Sequence, residues 1–257
     1  MKKIAVITGA SSGMGRRFAE TVTEWGSFDE VWAIARRADR LEELRATVPF
    51  PVKAISLDLT DRQSFAAYAA LLKEEQPQVG LLVNASGFGK FAAAMDTPLE
   101  VNLNMVDLNC QALMALCQLT VPYMTEGSRI INIASVAADQ PIPYINVYAA
   151  TKAFVLRYSR ALNRELKSRG IGVTAVCPFW TKTEFFDRAI NSDEPPVVKK
   201  YVAMYEPDQI VGRAWRDAKR GRDISRFGFI ARGQSLLTKI VPHSLVMDIW
   251  MGQQDLK

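Results

Sequence analysis

The sequence predicts an α/β fold with one doubly wound parallel sheet of about seven strands and helices on both faces. Strand-like and helix-like segments alternate from the first residues, and this alternation implies right-handed crossovers between parallel strands. The strand-like segments are nearly unbroken apolar runs, as expected for a sheet that is buried on both faces. With 257 residues, 49% of them hydrophobic, the chain is long enough to form the core of one large domain over residues 1–257.

The predicted strands and helices follow one another without a convincing linker. Strands are expected at residues 3–8, 31–35, 52–57, 79–84, 129–134 and 171–176. Helices are expected at residues 14–25, 61–75, 99–124 and 146–169, and a charged helix should follow the second strand. Asp61 stands where its side chain can cap the helix that begins there.

Two later segments have a different character. Residues 184–206 contain Pro195-Pro196 among charged residues, which is compatible with a lid over a site or with an inert surface loop. Residues 233–257 form a C-terminal helical segment that is apolar from 234 to 250, interrupted by Pro242. We expect it to close a pocket or to contact another subunit, and to be covered, because an exposed apolar helix promotes aggregation.

The composition argues against several classes of protein. Three cysteines are too few and too sparse for a disulfide framework and suit a reducing compartment. A single histidine, His243, and no CxxC pair argue against a metal site, and we assign His243 no catalytic role. No apolar run approaches the roughly 18–20 residues that cross a bilayer, and the run after Met1-Lys2-Lys3 is too short for a signal peptide. A cytoplasmic location is therefore expected.

The chain is basic, with a net charge of +5 and a pI of about 9.1. Such a balance can indicate nucleic-acid binding. We attribute it instead to an anion-binding site and to the many basic residues between 199 and 232, interpreted as solvated surface rather than as a contact for an acidic partner or a membrane. No nucleic-acid partner is expected.

A glycine-rich turn follows the first strand and precedes a helix. It reads Thr8-Gly9-Ala10-Ser11-Ser12-Gly13-Met14-Gly15, with the spacing GxxxGxG. Gly9 permits a sharp turn, and Gly13 and Gly15 let the backbone approach a pyrophosphate at the helix N-terminus, where free N–H groups and the helix dipole favour an anion. At the first strand-to-helix turn, this pattern predicts a dinucleotide site.

The end of the second strand indicates which dinucleotide is bound. An NAD site usually carries an Asp or Glu there, to bind the ribose 2′-hydroxyl. Here Arg36 and Arg37 follow Ala35 instead. Because guanidinium groups suit a 2′-phosphate, the sequence predicts NADP(H). The alternative is that both arginines are ordinary solvated charges.

Tyr148 and Lys152 lie four residues apart in a predicted helix and therefore share a face. A lysine ammonium beside a phenol is expected to stabilise the phenolate and lower the tyrosine pKa, which suits proton transfer to or from an alcohol. A YxxxK spacing alone also fits an ordinary helix surface. Ser135, after the fifth strand, adds a hydroxyl that can hydrogen-bond a carbonyl, and Asn109 lies in the preceding long helix.

Taken together, these motifs resemble the short-chain dehydrogenase/reductase family, over residues 3 to about 183 and in the expected order. The resemblance implies a Rossmann fold, a catalytic tetrad of Asn109, Ser135, Tyr148 and Lys152, and a homodimer or homotetramer formed through the long helices. It implies that Tyr148 protonates the carbonyl, that Ser135 orients it, that Lys152 binds the nicotinamide ribose, and that Asn109 holds a water molecule in a proton relay. Beside Tyr148 and Lys152, the implied cofactor-binding residues are Gly9, Ser11, Ser12, Gly13, Met14, Gly15, Arg36, Arg37, Asp58, Leu59, Asn84, Ala85, Ser86, Gly87, Pro178, Thr181 and Thr183.

The sequence departs from the family pattern at two places. The family's Asn-Asn-Ala-Gly is Asn84-Ala85-Ser86-Gly87 here, which keeps the first Asn and the Gly. Its Pro-Gly is Pro178-Phe179, and a phenylalanine does not easily take conformations that favour glycine. We therefore expect the backbone of that loop to differ from the family's at this position.

Aromatic and apolar residues surround the expected substrate position, which favours a largely apolar carbonyl compound. The substrate-contacting residues expected from position are Tyr144, Phe179, Trp180 and Phe185, with Phe88, Phe91, Ile142 and Phe186 nearby. The sequence thus favours an NADP-dependent carbonyl reductase or alcohol dehydrogenase. The alternatives are an inactive dinucleotide-binding sensor, against which the full tetrad argues, and an epimerase or dehydratase of the extended relatives, against which the glycine spacing and the chain length argue.

Overall fold

The computed structural model describes residues 1–190 and 197–256. The described residues contain seven strands: β1 (Lys3–Thr8), β2 (Glu30–Ala35), β3 (Val52–Ser56), β4 (Gln78–Asn84), β5 (Arg129–Ile133), β6 (Gly172–Val176) and β7 (Ile224–Ser225). All strand pairs are parallel, in the order β3-β2-β1-β4-β5-β6-β7. The direction of winding reverses between β1 and β4, where such sheets bind their ligands. The predicted fold class is confirmed.

The described helices are α1 (Gly13–Glu20), α2 (Ala38–Thr47), α3 (Gln63–Glu75), α4 (Leu99–Val106), α5 (Leu113–Thr120), α6 (Asn146–Glu165), α7 (Phe185–Ala189), α8 (Pro207–Lys219), α9 (Phe229–Ile240) and α10 (His243–Gln253). Helices α3, α5 and α6 contribute to the apolar core on one face of the sheet. Helices α1, α2 and α8 contribute to the core on the other face. Burial on both faces explains why the central strands carry so few polar residues.

Several predicted boundaries change in the structure. The predicted helix 14–25 ends at Glu20 and is followed by a 3₁₀ turn, Val22–Glu24. The predicted helix 99–124 is interrupted by a π-helical turn, Asp107–Ala112, between α4 and α5. Helix α3 begins at Gln63, whose backbone N–H donates to Asp61 Oδ1 at 2.9 Å, so Asp61 still serves the helix start. Helix α8 and the two-residue strand β7 were not located from the sequence.

The C-terminal helical segment, expected to close a pocket or to contact another subunit, is only partly covered within the single chain. Helices α9 and α10 are present, and Trp250 Nε1 donates to the Pro143 carbonyl at 3.1 Å. However, Leu236, Ile240 and other large apolar side chains of these helices face outward. The rest of the chain packs against only one side of each helix, and within the described residues nothing covers the outward apolar side chains.

Within the described residues, no helix is both long and apolar enough to span a membrane. Cys110, Cys117 and Cys177 are buried and form no disulfide. Pro195-Pro196, part of the expected lid at 184–206, lies outside the described residues.

Candidate active site

A cavity of about 530 Å³ lies at the carboxyl edge of the sheet, where the winding reverses. It is lined by most of the residues expected to bind the cofactor: Gly9, Ser11, Ser12, Gly13, Met14, Gly15, Arg36, Arg37, Asp58, Leu59, Ala85, Ser86, Gly87 and Thr183. Asn84 is not among them. Its Nδ2 donates to Asn132 Oδ1 at 2.9 Å behind the cavity, so the structure gives this side chain a packing contact between β4 and β5.

The glycine loop is shaped by two close backbone contacts. Gly9 has φ +67°, and a Cβ there would lie 2.9 Å from the backbone of Ala85 and Ser86. A Cβ at Gly15 would lie 2.3 Å from the carbonyl oxygen of Gly9. Gly15 is therefore required so that α1 can start directly against the turn, and this fixes the amino end of α1 at the cavity. Thr8 Oγ1 accepts hydrogen bonds from Ala85 and Ser86 N–H at 3.1 Å and ties the loop to the end of β4.

Arg36 and Arg37 both lie at the rim of this cavity. Arg37 Nη2 lies 2.8 Å from Glu184 Oε2 and donates to Ser11 Oγ at 3.3 Å. Arg36 Nη1 lies 3.9 Å from Asp58 Oδ2. Each predicted phosphate-binding group is thus beside a carboxylate, although both guanidinium groups remain largely exposed.

The carboxylates at this rim are held in their charged form. Hydrogen bonding to Arg37, followed by its charge, lowers the pKa of Glu184 against the raising effect of burial. For Asp58, burial alone would raise the pKa, but hydrogen bonds from the backbone and side chain of Thr60 and the charge of Arg36 lower it overall. The rim therefore presents paired charges of both signs.

Ser135, Tyr148 and Lys152 come together between β5 and α6. The Ser135 hydroxyl is near enough to the Tyr148 phenol to lower its pKa, and the Lys152 Nζ lies 5.6 Å from the centroid of the Tyr148 ring. Lys152 is only 5% exposed, and its Nζ donates to the Ile133 carbonyl at 2.8 Å. A Cβ on Gly87 would lie 3.4 Å from this Nζ, so the ammonium lies next to the floor of the larger cavity.

Asn109 lies in the π-helical turn that interrupts the predicted long helix. Its Nδ2 donates to the Phe88 carbonyl at 2.9 Å and to Thr151 Oγ1 at 3.0 Å, and its Oδ1 accepts from the Phe88 N–H at 3.0 Å. A π-helical turn shifts the side chains within a helix and is frequent at functional sites. Here it brings the Asn109 amide against Phe88, which follows β4, and against Thr151 on α6. Thr151 lies about one helical turn from Tyr148.

A second cavity, of about 380 Å³, adjoins the first and shares Met14, Thr183 and Phe185 with it. Tyr148 and Ser135 line this second cavity, together with Phe179 and Trp180. Its other walls are mostly apolar and come from residues before α6, from α7, and from α9 and α10. They include Phe91, Ile142, Phe186, Ile230, Leu237, Val246, Ile249 and Trp250.

Some residues expected at the site are placed differently. Pro178 and Thr181 line the apolar cavity rather than the larger one. Tyr144 is not among the lining residues of either cavity; it has φ +65°, and its carbonyl accepts from Ala92 N–H at 2.9 Å. Phe179 is not among the described residues with positive φ, so it fills the family's glycine position without left-handed backbone.

The model of the short chain dehydrogenase family matches residues 3–194. That match covers about three quarters of the chain.

The chain belongs to the short-chain dehydrogenase family.

Individual relatives agree with this assignment. A serine 3-dehydrogenase from Rhizobium radiobacter is 34% identical over 187 residues, which cover 72% of this chain and 74% of the relative. A short-chain dehydrogenase from Sphingobium yanoikuyae, solved in complex with NADPH, is 30% identical with a TM-score of 0.76, and 94% of this chain and 96% of that one are covered. A bulky-bulky ketone specific alcohol dehydrogenase from Comamonas testosteroni is 25% identical with a TM-score of 0.72, covering 95% and 96%.

Family membership makes this protein an oxidoreductase that acts on CH–OH groups with a nicotinamide dinucleotide. The family match ends at residue 194, so α8, β7, α9 and α10 lie beyond it. Two of these helices nevertheless line the apolar cavity beside Tyr148. The part of this short-chain dehydrogenase that surrounds the apolar cavity therefore comes partly from residues outside the shared family segment.

Burial dominates the proton equilibria at the centre of the site. It raises the pKa of Tyr148 to about 12, and the hydrogen bond from Ser135 opposes the rise only in part. It lowers the pKa of Lys152 to about 8. The expectation that Lys152 would lower the tyrosine pKa is not met in the protein alone, because the lysine faces the ring and bonds Ile133 while the phenol is removed from water.

Sequence reasoning missed two residues of the site, Arg188 at the larger cavity and Gly89 against the Tyr148 ring. Arg188, on α7, lines that cavity, and its guanidinium carbon lies 3.4 Å from the centroid of the Phe88 ring. A Cβ on Gly89 would lie 2.9 Å from Tyr148 Cδ2, so only glycine allows the tyrosine ring to lie where it does. Neither position carries a recognisable motif, and only the tertiary contacts reveal them.

Proposed function

We propose that this protein is an NADPH-dependent reductase that converts an apolar ketone or aldehyde into the alcohol, with Tyr148 as general acid. One observation carries the proposal. The Tyr148 phenol and the Ser135 hydroxyl line the same apolar cavity, which shares a wall with the cavity of the glycine loop. A carbonyl in the smaller cavity would thus meet a proton donor on one side and the dinucleotide on the other.

The residues of the larger cavity suit a dinucleotide. A side chain at Gly9 or Gly15 would collide with neighbouring backbone, so the loop that exposes the amino end of α1 depends on glycine. That helix end provides free N–H groups and a favourable dipole for a pyrophosphate. When bound, the nicotinamide supplies the hydride that the carbonyl carbon receives.

The proton comes from the chain itself. Tyr148 Oη donates it to the carbonyl oxygen as the carbon gains the hydride, so aldehyde or ketone plus hydride plus proton gives the alcohol. Ser135 Oγ can donate to the same oxygen and hold it against Tyr148. A pKa of about 12 keeps the phenol protonated at neutral pH, which suits a donor in the reducing direction.

Lys152 and Asn109 support this transfer. The Lys152 ammonium, held by the Ile133 carbonyl, lies near enough to Tyr148 to stabilise the phenolate that forms after transfer. We propose Asn109 as a positioning residue, because its amide joins the Phe88 backbone to Thr151 on α6. A water molecule relaying protons to Lys152 would use the remaining acceptor capacity of Asn109 Oδ1.

The preference for NADPH over NADH rests on Arg36 and Arg37. The two guanidinium groups lie at the cavity rim beyond β2, where an acidic residue would favour a free 2′-hydroxyl. Their present partners, Asp58 and Glu184, bind them in exposed pairs, which are weak and easily exchanged for a phosphate.

The substrate is proposed to be apolar and uncharged near its carbonyl. Among the described lining residues of the smaller cavity, Lys200 is the charged one, and its Nζ lies 3.2 Å from Asp255. Gln234 and Gln254 also line it, but Gln234 bonds Gln140 and Gln254 bonds the backbone of residues 199 and 200. The aromatic walls suit bulky groups, as in the relative specific for bulky-bulky ketones.

The first experiment measures loss of NADPH with a carbonyl panel that spans bulky aromatic ketones, long-chain aldehydes and small polar aldehydes. Turnover is expected with the apolar members. Tyr148→Phe should lower kcat by at least a thousandfold while NADPH still binds, since the phenol supplies the proton. Tyr158→Phe, on the same helix but lining neither cavity, is the matched control. Unchanged turnover in Tyr148→Phe would overturn the mechanism and favour a different role for the site.

A second experiment compares kcat/KM for NADPH and NADH. The parent is expected to prefer NADPH, and Arg36→Gln/Arg37→Gln should reduce that preference by at least roughly 10- to 100-fold, the size of one charge-assisted hydrogen bond of about 1.5–3 kcal/mol. Arg40→Gln, an exposed arginine in the first turn of α2 that does not line the cavity, is the control. A parent enzyme that prefers NADH contradicts the assignment.

The assembly and the lid are also proposals. Leu99, Leu103 and Val106 on α4 and Phe154 on α6 are exposed, as expected if these helices form subunit contacts in a homodimer or homotetramer. Light scattering of the parent and of Phe154→Lys tests this: the variant should dissociate. The described part of the 184–206 segment includes α7, whose Phe185 lines both cavities and which we propose as part of a cover.

A further inference from the structure

Helix α9 packs against the protein with its small, polar side and exposes its large apolar side. Ser235 and Thr238 are each 5% exposed and Ala231 is fully buried, whereas Phe229 is 89%, Leu236 61% and Ile240 75% exposed. At 3.6 residues per turn, Phe229, Leu236 and Ile240 lie on one face, opposite the buried residues. An ordinary surface helix buries its apolar side and exposes its polar side, and α9 does the reverse.

The next helix, α10, also exposes apolar side chains. Leu245 and Ile249, one turn apart on α10, are exposed. Together with the outward apolar residues of α9 they form what we call the C-terminal apolar face: Phe229, Ile230, Leu236, Leu237, Ile240, Leu245 and Ile249. Scattered apolar residues on a surface are ordinary, but here seven large apolar side chains are exposed on two consecutive helices, and Ile230, Leu237 and Ile249 lie around one cavity. Such a group is typical of an interaction site.

Basic residues border this face. Arg232 and Lys239 are both exposed and lie seven residues apart on α9, which places them on the same side of the helix, beside the apolar residues. Asp248 is the exposed acid of α10. Long basic side chains at the border of an apolar helix face can extend to anionic headgroups while the apolar residues enter the bilayer. The whole chain carries a net charge of +5, which attracts it to an anionic surface.

The apolar cavity opens onto the C-terminal apolar face. Ile230, Leu237 and Ile249 are exposed to solvent and also line the cavity that contains Tyr148. A second copy of the chain seated on this face would cover that opening and remove it as an entrance. A bilayer seated there would instead hold apolar molecules at the opening.

From these observations we propose that the C-terminal apolar face docks on an anionic lipid bilayer, and that apolar molecules pass from the bilayer into the cavity beside Tyr148. The helices would lie in the plane of the interface, with Phe229, Leu236 and Ile240 inserted and Arg232 and Lys239 at the headgroups. The docking itself needs neither cofactor nor turnover, so it is independent of the proposed reductase activity.

The test is sedimentation of the purified full chain with sucrose-loaded vesicles, without cofactor or substrate. Vesicles of phosphatidylcholine with phosphatidylglycerol are compared with vesicles of phosphatidylcholine alone. The parent is expected to bind the anionic vesicles, and less tightly at high salt. Phe229→Ser/Leu236→Gln/Ile240→Gln should lower the partition coefficient at least tenfold, because insertion of each apolar side chain contributes strongly. Since these side chains are exposed, the variant should melt at the temperature of the parent.

Charge variants separate docking by this face from unspecific attraction. Arg232→Gln/Lys239→Gln should weaken binding severalfold, and only to anionic vesicles. Lys219→Gln/Arg220→Gln removes the same charge from an exposed site at the end of α8 and should bind like the parent. If the control pair weakens binding equally, or the apolar triple variant binds like the parent, the proposed face is wrong.

Two further outcomes decide the matter. A parent chain that stays in the supernatant with both vesicles, but forms a dimer that the triple variant breaks into monomers, would show a subunit interface and overturn the membrane proposal. Tyr148→Phe should bind vesicles like the parent. Loss of turnover in that variant with intact vesicle binding would show that docking on the bilayer does not depend on the reductase activity.

Discussion

Removal of the Lys152 ammonium should change how the stability of the protein depends on pH. Lys152 is almost fully buried, and burial lowers its pKa to about 8 from the ordinary 10.5. Between these values the unfolded chain holds a proton that the folded chain has released. Raising the pH from about 8 to 10.5 therefore favours the folded state, and below pH 8 the cost of the buried charge is constant.

The size of the effect follows from the same two values. The interval between 10.5 and about 8, at about 1.4 kcal/mol for each pKa unit, corresponds to roughly 3 kcal/mol. The free energy of unfolding of the parent, minus that of Lys152→Met, should therefore rise by up to roughly 3 kcal/mol over this range.

The difference between the two proteins is needed because other buried groups act in the opposite direction. Burial raises the pKa of Cys110 to about 11 and that of Cys177 to about 12, from 9.0. These thiols ionise first in the unfolded chain, so they destabilise the folded state as the pH rises above 9. Both proteins contain them, and the part that comes from burial, the largest cause of each shift, cancels in the difference. The smaller part that comes from the charge of Lys152, which lowers both thiol pKa values, belongs to the measured difference.

Urea unfolding followed by tryptophan fluorescence, at a series of pH values from 7 to 10.5, provides the measurement. Lys167→Met removes an exposed ammonium just beyond α6 and should give a difference curve without slope. A flat curve for Lys152→Met, or one that falls with pH, would refute the conclusion that burial controls this group. Lys152→Met should also lose turnover, because the phenolate of Tyr148 then forms without a neighbouring positive charge.

Two glycine substitutions test the contacts that shape the site. Gly15→Ala places a Cβ 2.3 Å from the Gly9 carbonyl, and the backbone shift should cost about 2 kcal/mol, seen as a melting temperature roughly 4–8 °C lower, with weakened nucleotide binding. Gly89→Ala places a Cβ 2.7 Å from Phe185 Cζ and 2.9 Å from Tyr148 Cδ2, and it should lower kcat about tenfold or more because the tyrosine ring must move. Gly26→Ala meets nothing within 4 Å and should leave both properties unchanged; if Gly15→Ala melts like this control, the close contact is not what fixes the loop.

Much of the fold could be predicted because the deciding signals are local. The buried strands are continuous apolar runs, and the glycine spacing after β1 directly reflects a backbone contact with Gly9. Strand β7 was missed because its two residues, Ile224 and Ser225, are too few to show a pattern of alternating hydrophobicity. Helix α8 was missed although it places Trp215 in the core against Phe18, a contact that joins residues almost 200 positions apart.

The features that escaped prediction depend on tertiary structure. A π-helical turn at Asn109 leaves the residue pattern helical and only changes the direction of the side chains. The pKa of Tyr148 depends on how deeply the folded chain buries the phenol. In α9 the sequence shows an apolar side, but packing of Ser235 and Thr238 decides that this side faces outward.

Met14, Thr183 and Phe185 form a common wall between the two cavities. A ligand in either cavity would contact these three side chains, and the second ligand would then meet a wall that the first has already ordered. The two affinities would consequently be linked, and linkage is reciprocal: whatever factor the dinucleotide adds to the affinity for the proposed carbonyl compound, that compound would add to the affinity for the dinucleotide.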